Sequence, residues 1–145
     1  MLTNPNRYLC RSIKRISQRF VQWWNMTKIF VFGSNLAGRH GAGAARYACA
    51  HYDAEYGVGV GPTGCAYALP TKDRQLNTLP LKQIELYISQ FLRYAELNPD
   101  DEFLLTPIGC GLAGYRRDQI KPLIENNNRP SNVIYTKEWQ DEDIN

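Results

Sequence analysis

Apolar residues fall into short blocks along residues 26–145, and each block has a recognisable period. Lys28-Ile29-Phe30-Val31-Phe32-Gly33 is an apolar run ending on glycine, which predicts a buried strand. Cys65 to Pro70 alternates well enough for a second strand, Phe103 to Ile108 reads as a third, and Val133-Ile134-Tyr135 as a last one before an acidic end. Between the strands the period changes. Ala44 to Asp53 is rich in alanine, a strong helix former. Leu81, Ile84, Ile88, Phe91 and Ala95 recur every three or four residues, which makes one apolar stripe on a long helix. Thr78 is placed to cap that helix, with Pro80 in its first turn and Asn98-Pro99 at its end. Asp118 to Asn126 predicts a shorter helix. Strands alternating with helices predict an α/β domain with helices on both sheet faces.

The first 25 residues follow a different pattern. Over 8–24, Leu9, Ile13, Ile16, Phe20 and Trp23 or Trp24 share one helical face, and Arg7, Arg11, Lys14, Arg15 and Arg19 fill the rest. This segment has five basic residues and no acidic ones. The remaining 120 residues carry 12 basic and 14 acidic residues, so the overall charge of +3 belongs to the N-terminal extension. The body lacks the basic excess that draws nucleic-acid backbone, and no specific nucleic-acid partner is expected. A boundary near Met26 divides a basic amphipathic extension, 1–25, from a domain, 26–145. The extension reads as a membrane-surface helix, a targeting segment, a helix docked on the domain, or sequence upstream of a natural start at Met26.

At 145 residues the chain is long enough for one core without staples. Cys10, Cys49, Cys65 and Cys110 are widely spaced and form no C-x-x-C pair, which argues against a zinc ribbon; reduced thiols and a cytoplasmic location are the simpler expectation. No His, Cys and carboxylate spacing suggests a metal, and no cofactor is expected.

Two glycine-rich loops follow two of the strands. Gly38, Gly41 and Gly43 lie in the first; Gly109, Gly111 and Gly114 lie in the second. Glycine lets backbone approach a phosphate and present N–H groups, and the first loop runs into a helix start that favours an anion. Loops at the carboxyl ends of parallel strands gather where ligands bind. There is no G-x-x-x-x-G-K-[ST], and Gly41-Ala42-Gly43-Ala44-Ala45-Arg46 lacks the third glycine of a dinucleotide fingerprint. Beside the loops, His40 can donate to a phosphate or move a proton. Cys110 sits in the second loop as a nucleophile or a small turn residue, and Lys72-Asp73-Arg74 as phosphate or ribose partners or a solvated cluster.

The segments Phe32-Gly33-Ser34-Asn35-Leu36-Ala37-Gly38-Arg39-His40-Gly41-Ala42-Gly43-Ala44-Ala45, Gly61 to Pro70, and Thr106-Pro107-Ile108-Gly109-Cys110-Gly111-Leu112-Ala113-Gly114 resemble, in that order, three segments of macro domains. The resemblance covers about residues 28–136 and is nearest to small macro-like proteins of bacteria and phages. It implies a three-layer α/β/α Rossmannoid domain with a mixed sheet and an ADP-ribose-type nucleotide as ligand. It implies ligand contacts from Asn35, Gly41, Gly43, Gly109, Gly111, Gly114 and Tyr115; Ser34, His40, Thr106 and Cys110, which lie in the same segments, are further candidate ligand contacts. The acidic residue that reads adenine in macro domains and the Gln-Glu-Glu signature of poly(ADP-ribose) glycohydrolases are not evident here. The leading expectation is therefore a nucleotide-binding module. The alternatives are a hydrolase of ADP-ribosyl or related linkages, with Asn35 and Asp73 as catalytic candidates, and a membrane-surface adaptor acting through residues 8–24.

Overall fold

A computed structural model describes residues 26–141. The N-terminal extension, with its proposed amphipathic helix and membrane surface, lies outside these residues. The elements run β1 (Thr27–Asn35), α1 (Gly43–His51), β2 (Gly61–Thr63), β3 (Ala66–Lys72), α2 (Leu81–Glu96), β4 (Asp101–Leu105), α3 (Arg117–Glu125) and β5 (Val133–Tyr135). A 3-10 turn, Lys137–Gln140, follows. The five strands form one mixed sheet in the order β2-β3-β1-β4-β5. β1 pairs in parallel with β3 and β4, β4 pairs in parallel with β5, and the short β2 is antiparallel to β3. This is the α/β class expected from the alternation of periods.

Alternation along each strand sorts residues onto two faces. Ile29 and Val31 of β1, Tyr67 and Leu69 of β3, and Phe103 and Leu105 of β4 point to one side. There they meet Ile84, Ile88 and Phe91 of α2 and Ile120 and Ile124 of α3. Phe30 and Phe32 of β1 and Ala66 and Ala68 of β3 point to the other side and meet Ala45 and Ala48 of α1. The apolar stripe of α2 is thus buried, with Ile84 and Ile88 fully inaccessible and Phe91 1 % exposed.

Several boundaries move from their expected places, for local reasons. β4 begins at Asp101 and ends at Leu105; the N–H and hydroxyl of Thr106 still donate to the Val31 carbonyl, at 3.2 and 2.6 Å, and Pro107, which has no N–H, follows. Pro80 is the N-cap of α2, and Thr78 caps nothing; its hydroxyl donates to the Ala113 carbonyl at 2.9 Å. The glycine-rich stretch around Gly61 contains β2, and the acidic end contains the 3-10 turn. That turn buries Trp139, whose Nε1–H donates to the Leu105 carbonyl at 2.7 Å. Cys49 and Cys110 are in no disulfide. Cys65 is disulfide-bonded, against the expectation of reduced thiols throughout. Among the described residues no helix is long and apolar enough to cross a membrane.

Candidate functional site

The strand order creates a division at the carboxyl ends of β1 and β4. These strands are neighbours. The chain leaving β1 goes to α1 on the alanine-rich face, whereas the chain leaving β4 goes to α3 on the opposite face. Two connections that part in opposite directions leave a crevice between them, the usual ligand position in an open α/β sheet. A cleft of about 1130 Å³ lies there, lined by both glycine loops.

The first loop is tied down by its own side chains. Asn35 acts as a bracket: its Nδ2 donates to the Arg39 carbonyl at 2.8 Å, and its Oδ1 accepts the Arg39 N–H at 3.0 Å. Ser34 donates its hydroxyl to the Gly59 carbonyl. Gly59 must be glycine for space, since a Cβ there would lie 2.1 Å from the Asn35 carbonyl oxygen. His40 is buried, with Nε2 2.8 Å from the Val58 carbonyl. A carbonyl only accepts, so Nε2 carries the proton. Its Nδ1 is buried without a partner among the described residues. The ring also meets Phe32 and Tyr56 edge-on.

Beyond Arg39 the loop opens onto the cleft. Gly41, Ala42, Gly43 and Ala44 line it, and nothing lies within 4 Å of a Cβ built at Gly41 or Gly43. This is the start of α1, which has no side-chain cap and no acidic residue in its first turn. Its first N–H groups lack intrahelical partners, and the helix dipole places positive potential there.

The second loop is folded by backbone bonds from Cys110 N–H to the Pro107 carbonyl, Gly114 N–H to Gly111 and Tyr115 N–H to Gly109. Gly109 and Gly114 adopt positive φ, 72° and 87°. Gly111 is exposed on the cleft, with open space where a Cβ would project. Three cations, Arg39, Lys72 and Lys137, stand in the cleft wall against one carboxylate, Glu138. The wall on the α1 side is aromatic: Phe30 stacks on Tyr52 at 4.7 Å, with Tyr47 tilted 5.4 Å from Phe30.

Of the residues singled out from the sequence, Ser34, Asn35, Gly41, Gly43, Thr106, Gly109 and Gly111 line this cleft together. His40, Cys110, Gly114, Tyr115 and Asp73 are not among its lining residues. Tyr115 instead donates its hydroxyl to the Leu79 carbonyl at 2.7 Å, and Cys110 directs its thiol to the Ile108 carbonyl. Asp73 accepts the N–H groups of Gln75 and Asn77, both at 2.9 Å, and so shapes the β3–α2 loop. The cleft residues that sequence reasoning missed are the aromatic wall and the pair Lys137 and Glu138. The latter had one available signal, their place just past the carboxyl end of the last strand. Among the described residues no group of His, Cys, Asp and Glu is placed to hold a metal ion.

No family model and no curated protein matches the chain. Among solved structures it is similar to a protein of unknown function from Bacteroides thetaiotaomicron, at 12% identity and a TM-score of 0.56. The likeness covers 76% of this chain and 85% of that one, and at such identity it concerns the fold alone.

Proposed function

We propose that this domain binds an ADP-ribose-type or related nucleotide, with its diphosphate in the crevice between the two glycine loops. The observation that carries this reading is that the uncapped start of α1 and Gly111 line one cleft with three cations and one carboxylate in its wall. N–H groups without partners, a favourable helix end and open space above the glycines together suit a phosphate. The aromatic wall suits a planar base beside it. The macro-domain resemblance points the same way. Such a domain would read, sequester or protect its nucleotide.

A hydrolase is the second reading, and one observation favours it: Glu138 is a carboxylate in the cleft wall. The earlier candidates fit less well, because Asn35 holds the Arg39 N–H with its Oδ1, and Asp73 is not in the cleft lining and holds two backbone N–H groups with one carboxylate oxygen. A release assay on an ADP-ribosylated substrate with Glu138→Gln separates the readings, since a binder releases nothing with either chain.

The test of binding is thermal unfolding of the chain with ADP-ribose, NAD and mononucleotide controls. A ligand at 100 times its dissociation constant stabilises by about 2.7 kcal/mol. No shift with any of these nucleotides at millimolar concentration contradicts the reading.

A further inference from the structure

The cleft is lined by apolar groups from α1 and from the loops that lead to α2 and α3, helices on opposite faces of the sheet. On the α1 face stand Phe30 and Tyr47, the latter 49% exposed. Where the chain passes to α2 and α3 stand Leu76 and Leu112, which are 41% and 77% exposed and line the same cleft. A single exposed leucine needs no explanation. Two on separate loops at the mouth of one cleft, with those loops joined by the Thr78 hydroxyl on the Ala113 carbonyl, form a built apolar jaw. Leu76 is moreover held at a φ of 66°, a conformation that side chains with a Cβ adopt at a cost. The Asp73 carboxylate bonds to Gln75 and Asn77, together with the Leu76 N–H on the Asp73 carbonyl, fix it there.

A ligand that ended in a bare sugar would bring hydroxyls against these leucines, which offer them no partner. A flat uncharged ring would instead bury apolar area on them. We infer that the cleft takes a diphosphate capped at both ends by planar groups, a dinucleotide, with its second ring seated between Leu76 and Leu112; this rests on the nucleotide reading above.

NADH and ADP-ribose form a matched pair of probes, because they differ in the uncharged dihydronicotinamide ring that would occupy the jaw. In titration calorimetry the full chain should bind NADH about tenfold or more tighter than ADP-ribose. The double variant Leu76→Asn, Leu112→Ser should bring the two affinities within about threefold of each other by weakening NADH binding and not ADP-ribose binding. Asparagine tolerates the φ at position 76. Leu112→Ser alone, at the more exposed position, should lower the ratio in the same direction. ADP-ribose binding as tightly as NADH, or a double variant that weakens both equally, overturns the dinucleotide assignment and leaves the nucleotide reading standing. Binding of neither probe overturns both.

Discussion

The two faces of the sheet are built from different residues, and the difference separates stability from function. The face under α2 and α3 is filled by large side chains, among them Phe91, Phe103, Ile84 and Ile120. The face under α1 is filled mainly by alanines, with Phe30 and Phe32 beneath them. Large residues supply most of the apolar area that favours folding. Small ones let α1 lie close on β1 and β3, which brings its uncapped N-terminus to the crevice beside Asn35 and Gly109. One face therefore holds the domain together, and the other places the helix end that the proposed ligand would meet.

Substitutions can break or sharpen this division. The largest expected effect is on the α2 face. Phe91→Ala should destabilise by about 3–5 kcal/mol, measured by denaturant unfolding, with nucleotide affinity unchanged in the folded fraction. On the α1 face the relation reverses. Ala48 is fully inaccessible against the sheet, so Ala48→Leu overpacks the contact and should cost about 1–3 kcal/mol. Because it pushes α1 outward, it should also weaken nucleotide binding, which calorimetry reads directly. A variant that is destabilised yet binds normally would show that α1 need not sit so close. Asn35→Ala removes the two-bond bracket on Arg39 and should cost about 1–2 kcal/mol, with weaker binding from a loosened loop.

The two faces also differ in how far the sequence discloses them. The stripe of α2 and the apolar strands were legible because burial imposes a period of about 3.6 or 2 residues, and the α/β class followed. The glycine loops were legible as a pair because three glycines in six residues exceed what one turn requires. What was not legible depends mostly on long-range partners. Thr78 has the composition of a helix cap, but its hydroxyl is taken by Ala113, 35 residues away. Tyr115 matches an aromatic near a ribose, but its hydroxyl is taken by Leu79. Asp73 is a free-looking carboxylate in sequence, yet it closes an Asx turn. Trp139 sits in an acidic, frayed-looking stretch, and its bond to Leu105, with that of Arg117 to the Glu138 carbonyl, holds that stretch in a turn beside the cleft. No local pattern carries the Thr78, Tyr115 and Trp139 pairings, whereas the Asp73 turn is a local one.

The smallest expected effect on stability tests the central claim most directly. Gly111 is exposed, has an ordinary φ and has nothing within 4 Å of a built Cβ, so Gly111→Glu should change unfolding free energy by less than about 0.5 kcal/mol. The new carboxylate would project into the crevice that the start of α1 also lines, where it would both occupy the anion position and repel a diphosphate. Calorimetric titration of the parent chain and Gly111→Glu with ADP-ribose and related nucleotides should show binding to the first and loss of binding to the second. Equal binding by the two chains would contradict the placement of the diphosphate between the glycine loops.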